Sequence, residues 1–420
     1  MNLIYRTTCR ACKNPDLLPV IFLGNQKIQG MFKTPKKSFI SHRKVPLEIV
    51  KCDIKNNETA CGLIQNSITI PPEILYSSYF YRSGISNSMK KHLKETADEI
   101  VKLVEPGPKQ VLDIAANDLT FLKYYPSEYV KTGIDPSDII LNSDKQDINV
   151  IHGYYPEDIQ SHTKFYVITS LAVFYDINDP VNFAKSVAAS LAQGGIWVCE
   201  FAYLPSVLEN LAYDGMVFEH CSLYSLATFE YVLKQAGLKT FKVVKNNING
   251  GSLQVWATQK TCGLYDTKEN LENIMKTRLY EYSLELDSSE VYSRFQNNVT
   301  KHKKDLHKIL LSLKKQNKVI HALGMSTKLN CLLQTADIGS DIISAASERD
   351  SEKWGGETLS GIPMISEEES RKKADVYLVG PYHFRDEIIN REKKFLKKGG
   401  QLLFPLPKIE IVSQTGTQSI

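Results

Sequence analysis

The chain is 420 residues long, which is too long for one simple core and predicts two or three domains. Hydrophobic residues make up 42% of the sequence and charged residues 23%, a composition that excludes a disordered or collagen-like chain. The 51 Lys and Arg residues nearly balance the 47 Asp and Glu residues, which argues against nucleic acid or an anionic membrane as the main partner. No apolar run is long enough to span a bilayer, and the N-terminus lacks the apolar core of a signal peptide. We therefore expect a soluble, cytoplasmic protein.

Residues 1–70 contain four of the eight cysteines, set among short β-like runs and polar turns. Two residues separate Cys9 from Cys12, and eight separate Cys52 from Cys61. We interpret the four thiolates as ligands of a structural Zn2+ ion, because a small domain with few large apolar side chains needs a metal. Four buried structural cysteines in a reducing cell are the alternative. Four Cys ligands would leave no coordination position open for catalysis.

Strands and helices alternate through the rest of the chain, which predicts mostly parallel, doubly wound α/β sheets. Helical periodicity is clearest in SNSMKKHLKETADEIVKLVEP, just before the first buried strand. Residues 263–316 are helical and charge-rich, and we expect a solvated helix that bridges two domains. A second, smaller α/β unit follows. We divide the chain into a zinc-binding domain at 1–70, an α/β domain at 71–260, a C-terminal Rossmann-like domain at 261–412 and a polar tail at 413–420.

The string VLDIAAND predicts a cofactor site, because a strand that ends in Asp113 leads through a tight turn into a predicted helix, LTFLKYY. This is the layout that binds an adenosine-containing cofactor at the edge of a parallel sheet. Asp135 ends the next strand, where a carboxylate can accept both ribose hydroxyls. The turn positions where glycine is expected hold Ala115, Ala116 and Leu119. Alanine tolerates a close ligand if its φ stays negative. An α/β domain with an empty site is the alternative.

Several strings occur here in a single order: CRAC…CGLIQ, YFYRSGISNSMKKH, VLDIAANDLTFLK, GIDPS, FEHCSLYSL, NINGGSLQVW, GMSTKLN, IPMISEEE, GPYHF and FLKKGGQLLFPLP. Together they resemble the three-domain S-adenosylmethionine-dependent C-methyltransferases that act on nucleotide-linked deoxysugars. The resemblance implies a zinc domain, a class I methyltransferase domain and a C-terminal domain that helps to hold the nucleotide sugar. It implies S-adenosylmethionine and structural zinc as cofactors, in a monomer or homodimer.

The family reaction removes a proton beside the keto group of a 4-keto sugar, and the resulting enolate attacks the sulfonium methyl group. By resemblance, His220 is the base and the adjacent Glu219 supports it. Tyr81 matches an active-site tyrosine that donates to the keto oxygen or relays a proton, although Tyr79 is close enough to compete for that assignment. Asp176 occupies a segment where the family has a histidine.

The remaining site residues follow from the same comparison. For the cofactor they are Asp113, Ala115, Asn117, Asp135 and His92, with a surface position as the alternative for His92. For the substrate they are Tyr224, Ser326, Lys328, Asn330 and His383. Each substrate candidate has a purely structural role as its alternative.

The chain also departs from the family pattern. Val217 and Phe218 stand where a tyrosine and a histidine precede the Glu-His pair, and Met325 and Leu329 replace small residues in the C-terminal turn. Either Asp176 and its neighbour take over the missing proton chemistry, or activity has been lost. The main hypothesis is C-methylation of a nucleotide-linked 4-keto-deoxysugar. The alternatives are a non-catalytic homologue that binds a nucleotide sugar or a partner, and the same fold redirected to oxygen or nitrogen methylation.

Overall fold

A computed structural model describes residues 3–36, 41, 43–55, 57–76, 81–104, 109–160 and 162–419. Tyr79 lies outside the described residues. Within them, no helix combines the length and the hydropathy that a bilayer crossing requires. The described chain forms a small N-terminal sheet and two seven-stranded α/β sheets.

The N-terminal sheet is antiparallel. The first part of the chain contains β1 (Ile4–Tyr5), β2 (Leu17–Gln26), β3 (Val45–Cys52), β4 (Ile64–Asn66) and β5 (Ile68–Thr69), of which β2, β3 and β4 belong to this sheet. β2, β3 and β4 are neighbours in that order, and β1 pairs separately with β5. Alternating apolar residues of β2 and β3 face the core, as the period of two in a half-buried strand requires.

The central domain alternates helix and strand as predicted. Its elements are α1 (Pro72–Tyr76), α2 (Asn87–Leu103), β6 (Gln110–Ile114), β7 (Val130–Asp135), β8 (Ile148–His152), β9 (Phe165–Leu171), α3 (Pro180–Ser190), β10 (Leu191–Ala202), α4 (Leu204–Glu209), β11 (Ser222–Leu223), α5 (Leu226–Gln235), β12 (Leu238–Asn246) and β13 (Ser252–Gln259). The strand order is β12-β13-β10-β9-β6-β7-β8, parallel except at β13, which runs antiparallel to both neighbours. The predicted doubly wound sheet is therefore confirmed.

Two local features of this domain differ from expectation. The segment LTFLKYY forms only a short 3-10 turn at Leu122–Tyr124, because its apolar residues fold inward beneath the sheet rather than along one helix face. β11, which directly follows Glu219 and His220, leaves the central sheet and pairs with β4 of the zinc domain. The N-terminal sheet therefore has a fourth strand that the sequence places far away.

Two helices, α6 (Lys268–Ser283) and α7 (Ser289–Lys315), connect the central and C-terminal domains. α7 bridges domains as predicted, since it packs against both β2 and the first strand of the C-terminal sheet. It is not simply solvated, however, because one face is buried: Tyr292, Phe295, Val299, His302, Leu306, Leu310 and Leu313. Apolar residues at steps of three, four and seven form this stripe between the numerous lysines.

The C-terminal domain contains β14 (Ile320–Leu323), α8 (Thr327–Thr335), β15 (Ala345–Glu348), β16 (Met364–Ser366), α9 (Glu367–Lys373), β17 (Val376–Val379), α10 (Arg385–Arg391), α11 (Lys393–Lys397), β18 (Gln401–Phe404), β19 (Glu410–Ser413) and β20 (Gly416–Ser419). The strand order is β16-β15-β14-β17-β18-β19-β20, with the first five parallel. The expected polar tail instead forms β20, which pairs antiparallel with β19. Strand pairing uses backbone groups, so the exposed glycine and three exposed polar side chains of β20 do not prevent it.

Candidate active site

The four predicted metal ligands come together beside the N-terminal sheet. Their sulfur atoms all lie within 4.8 Å of one another, with 3.5 Å between Cys9 and Cys61 and 3.4 Å between Cys12 and Cys52. A tetrahedral Zn2+ ion with bonds of about 2.3 Å needs sulfurs about 3.8 Å apart, so the donor set and its spacing fit zinc. All four cysteines are free of disulfides.

The turn after β6 adopts the backbone of a glycine-rich turn without glycine. φ is 62° at Ala115, 50° at Asn117 and 63° at Leu119, all in the left-handed region that costs most residues about 1–2 kcal/mol. The condition under which alanine was expected to tolerate a close ligand, a negative φ, is therefore not met at Ala115. Of the three positions where glycine was expected, Ala115 and Leu119 have a left-handed backbone. The remaining left-handed residue is Asn117 and not Ala116. Asparagine tolerates this conformation better than other non-glycine residues.

The two acidic residues of this site are already hydrogen-bonded. Asp113 is buried and accepts from the Thr169 hydroxyl at 2.6 Å, and burial raises the pKa of its carboxyl to about 7. Asp135 accepts from the Asn117 backbone N–H at 2.9 Å and from both the N–H and the hydroxyl of Ser137. A carboxylate offers about four lone-pair positions. Asp135 therefore has room for about one ribose hydroxyl rather than two, unless Ser137 releases its bond.

The segment before α2 is fastened to the same turn. The Asn117 side chain accepts from the Ser83 N–H and donates to the Tyr81 carbonyl, both at 3.0 Å. Asp118 accepts from the Gly84 N–H at 2.8 Å. Tyr81 is 47% exposed and adjoins the turn after β6 through its backbone carbonyl. Its catalytic role stays a prediction.

His92 is partly buried and pairs with a carboxylate. Its Nε2 lies 2.9 Å from both carboxylate oxygens of Glu200, which also accepts from Asn246 and Gln254. Burial alone would lower the pKa of His92, but the hydrogen bond and charge of Glu200 outweigh it and raise that pKa. His92 is therefore not at the fully exposed surface position that was the alternative interpretation.

His220 presents one ring nitrogen to the site. Its Nδ1–H donates to the Gly215 carbonyl at 2.6 Å, which fixes the neutral tautomer and leaves Nε2 as the basic atom. The ring packs on Tyr175 with a centroid distance of 4.2 Å. Burial, assisted by the positive charge of Lys328, lowers the pKa of His220 to about 4. The imidazole is therefore neutral across the physiological range.

Glu219 does not bond to the His220 ring; among the described residues, that ring is hydrogen-bonded to the Gly215 carbonyl. The Glu219 carboxyl instead lies against Gly30, where a Cβ atom would come within 2.2 Å of its Oε1. Its Oε2 is buried without a hydrogen-bond partner in the described structure. Burial raises the pKa of Glu219 to about 7, although backbone amides of Glu219 and Gly30 oppose the shift.

Asp176 forms the second acidic group of this region. Its Oδ1 is buried and unpartnered in the described structure, and burial together with the charge of Glu219 raises the pKa of its carboxyl well above the usual range. A hydrogen bond with Tyr76, at the end of α1, partly opposes that shift. Two neighbouring carboxyls with raised pKa values make this region a candidate for acid-base chemistry.

The C-terminal domain contributes a cation to the same region. Lys328 donates to the Asn249 carbonyl at 2.6 Å, and its Cε would lie 3.9 Å from a Cβ placed on Gly215. Its charge lowers the pKa values of both His220 and His383, second to burial in each case. His383 keeps a buried Nδ1 without a partner in the described chain.

Three other substrate candidates have structural roles in this geometry. Ser326 caps α8 by accepting from the Leu329 N–H at 3.2 Å. Asn330 is fully buried and donates to the Gln29 carbonyl at 2.9 Å. Tyr224 lies in an aromatic cluster, 5.1 Å from the Phe174 ring centroid, and is fully buried. Their roles in substrate binding stay predictions.

Three family models match the chain in order along its length. They are described as "Putative zinc binding domain" over residues 9–76, "Methyltransferase domain" over 89–243 and "C-methyltransferase C-terminal domain" over 247–407. The chain belongs to the three-domain C-methyltransferases. This C-methyltransferase is 23% identical to the C-methyltransferase NovU of Streptomyces niveus, and the match spans 97% of both chains.

Solved structures similar to part of this C-methyltransferase include an S-adenosylmethionine-dependent methyltransferase from Clostridium acetobutylicum. That match has 13% identity and a TM-score of 0.34, and covers 40% of this chain and 92% of the other. Another is the plantazolicin methyltransferase BpumL with a triazolic desmethylPZN analogue and SAH, at 14% identity and a TM-score of 0.36, covering 42% and 87% of the two chains. The cofactors of this C-methyltransferase are S-adenosylmethionine and zinc.

Sequence reasoning missed several residues that the C-methyltransferase fold brings to the site. Gly30 makes room for Glu219, and Tyr76 bonds to Asp176. Asp214 is buried, accepts from the Tyr382 hydroxyl at 2.9 Å and faces the charge of Lys328. The only local signal for Asp214 was a lone acidic residue in the apolar run LAYDGMVF.

Proposed function

We propose that this C-methyltransferase methylates a ring carbon of a nucleotide-linked 4-keto-deoxysugar. The observation that carries the proposal is the neutral imidazole of His220, together with buried polar atoms that lack partners in the described structure. These atoms belong to the preceding residue, to the residue after Tyr175, on which the His220 ring packs, and to a histidine that feels the same Lys328 charge. These atoms are Glu219 Oε2, Asp176 Oδ1 and His383 Nδ1. Buried polar groups normally find partners, and a sugar with hydroxyl and keto groups would supply them.

We propose that the turn after β6 and its neighbours hold the cofactor through Asp113, Ala115, Asn117, Asp135 and His92. The left-handed backbone at residues 115, 117 and 119 and the acceptor capacity of Asp135 fit an adenosyl group. When bound, S-adenosylmethionine supplies an electrophilic methyl group. The half-exposed Tyr81 adjoins this turn and would face the cofactor side of the substrate.

In the proposed mechanism His220 Nε2 removes the proton from the carbon next to the keto group. The Gly215 carbonyl keeps Nδ1 protonated, so the ring orientation and tautomer are set before substrate binds. Burial keeps His220 neutral, with a pKa of about 4. The base is therefore available without prior deprotonation.

Negative charge then develops on the keto oxygen, and a nearby donor must stabilise it. We assign this role to Lys328, whose charge acts on both His220 and His383 and whose ammonium group donates to the Asn249 carbonyl. Glu219 and Asp176 carry raised pKa values because of their burial. Protonated carboxyls can donate hydrogen bonds to sugar oxygens. In this way Glu219 and Asp176 would take the place of the tyrosine and histidine that the family has at the positions of Val217 and Phe218.

The test is proton exchange in deuterated water. Purified protein is incubated with nucleotide-linked 4-keto-deoxysugars and S-adenosylhomocysteine, and exchange at the ring C–H positions is followed by NMR. Parallel reactions with S-adenosylmethionine are analysed for a methyl mass gain. We expect exchange at one carbon and methylation at the same carbon, both lost in His220→Gln.

Two results would contradict the proposal in different ways. Methyl gain without exchange, with the methyl group on oxygen or nitrogen, would favour heteroatom chemistry. Neither exchange nor methyl gain with any nucleotide sugar that binds would favour a non-catalytic homologue. Calorimetric titration with S-adenosylmethionine establishes first that the cofactor site is functional.

A further inference from the structure

The zinc domain directly holds the segment that bears His220. The Asn66 side-chain amide donates to the Val217 carbonyl at 2.8 Å and to the His220 carbonyl at 2.9 Å. The Asn66 backbone N–H donates to the Cys221 carbonyl at 2.9 Å. Ser222 then pairs with Gln65 in β4. One residue of the zinc domain thus fixes both ends of the Val217–His220 turn.

Arg10 connects Asn66 to the metal ligands. It lies between Cys9 and Cys12 in the chain and is fully buried. Its guanidinium donates to the Asn66 carbonyl at 2.6 Å and to the Thr69 hydroxyl at 2.8 Å. No carboxylate pairs with this guanidinium among the described residues, so its position depends on neutral acceptors along residues 65–69.

The hydrogen bond from Arg10 to Thr69 connects Arg10 to the segment that contains Asp176. The Thr69 hydroxyl that accepts from Arg10 is 3.2 Å from the Asn178 side-chain oxygen and donates to it. Asn178 follows Asp176 by two residues. One buried guanidinium, set within the cysteine knuckle, therefore reaches the His220 segment through Asn66 and the Asp176 segment through Thr69.

We propose that Arg10 and Asn66 are positioning residues through which the four-cysteine site orients His220. In this arrangement the four thiolates fix the knuckle, the knuckle fixes Arg10, and Arg10 and Asn66 fix the backbone on both sides of the base. The inference rests on the proposed function, because it assigns His220 as the base. Loss of the groups that hold metal ligands in place typically lowers metal affinity or activity by about 10–100-fold, and we take this as the scale of effect for Arg10 and Asn66.

The test combines kinetics with an observable on His220 itself. Asn66→Ala removes both side-chain donors from the base segment. We expect kcat to fall by about tenfold or more, while the Kd for S-adenosylmethionine and the zinc content stay near wild-type values. The His220 ring signal in a histidine-labelled NMR spectrum, identified by its absence in His220→Gln, should shift. Asn270→Ala is the matched control, since Asn270 also donates to a backbone carbonyl but lies at the start of α6, beside exposed residues.

Thr69→Val serves as a second, nearly isosteric variant if Asn66→Ala does not fold. It removes one acceptor from Arg10, and we expect a smaller shift of the His220 signal with zinc retained. The inference is overturned if the folded variants keep the wild-type His220 signal and kcat, or if turnover and cofactor affinity fall in equal proportion. If the wild-type protein turns over no nucleotide sugar, the proposed function fails, but the NMR signal still tests the coupling.

Discussion

The chain contains two turns that each follow a parallel strand, one after β6 and one after β14. They differ in the groups that they direct toward the candidate active site. After β6, the first turn takes left-handed φ values at Ala115, Asn117 and Leu119. It is followed by only a short 3-10 turn. After β14, the second turn keeps its glycine at residue 324, with φ 76°, and continues into the regular helix α8.

The contents of the two turns explain this difference. In the second turn, Met325 and Leu329 are buried, and a Cβ on Gly380 would meet the Gly324 carbonyl at 2.5 Å. This turn is therefore packed with protein and presents Lys328 toward His220. The first turn engages Asp135 through its backbone amide. Two turns in similar positions therefore have different roles. The turn after β6 directs a backbone N–H to Asp135, and the turn after β14 carries the side-chain donor Lys328.

This comparison requires that cofactor binding and chemistry respond separately to mutation, and His220→Gln tests that separation most strongly. Loss of a general base typically costs about 10²–10⁴-fold, and we expect kcat to fall by that amount. Calorimetry should give an unchanged Kd for S-adenosylmethionine, because the first turn is untouched. The exposed His162→Gln is the control. Near-normal turnover in His220→Gln would remove His220 from the mechanism.

Lys328→Met tests the contribution of the second turn. The variant keeps much of the side-chain volume but loses the charge near His220, and we expect kcat to fall by about 10–100-fold. Cofactor affinity should not change, and the pKa of His220 should rise because the adjacent positive charge is removed. The exposed Lys315→Met is a control from the same region. An altered cofactor Kd with normal kcat would contradict the assigned division of roles.

Glu219→Gln tests the buried carboxyl between the two turns. The pKa of Glu219 is raised from 4.5 to about 7 by burial, so the folded protein binds more protons than the unfolded chain between these pH values. Its contribution to stability is therefore present at low pH and is lost as pH rises toward 7. The variant should gain free energy of unfolding relative to wild type between pH 5 and 8, by about 1–3 kcal/mol. If the difference in free energy of unfolding between Glu219→Gln and wild type is the same at every pH, the assignment is contradicted.

Ala115→Gly and Ala116→Gly test the backbone of the first turn with matched neighbours. Glycine at residue 115 removes the cost of the left-handed conformation and should raise the free energy of unfolding by about 0.5–1 kcal/mol. Glycine at residue 116, which is buried and lacks a positive φ, should lower it by about 1–2 kcal/mol. Urea denaturation measures both. The same sign in both variants would exclude the conformational explanation.

Much of the architecture could be predicted because its signals are local. Continuous apolar runs indicated the parallel strands, and the knuckle of Cys9 and Cys12 indicated the metal site. The direction of the Glu219 side chain could not be predicted, because it depends on space left by Gly30 in another domain. The left-handed φ at Ala115 could not be predicted either, because alanine rarely adopts this conformation and nothing in its local sequence marks it.

The contacts of the tyrosines show the same limit. Tyr76 and Tyr81 both lie in aromatic sequence before α2, and only the three-dimensional packing pairs Tyr76 with Asp176 and places Tyr81 at the cofactor turn. The strand β20 was missed for a different reason. Its polar side chains carry no periodic signal, whereas its pairing uses backbone groups.

The pairing of β11 with β4 also constrains the order in which the protein matures on the ribosome. The bond from Asn66 to Val217 joins residues 151 positions apart, so the N-terminal sheet keeps an uncovered edge until much of the central domain has been synthesised. Contacts of such separation form slowly, and open edges invite aggregation. Zinc bound by the four cysteines would stabilise the N-terminal sheet during this interval, and zinc starvation should therefore reduce soluble yield before it reduces the activity of molecules already folded.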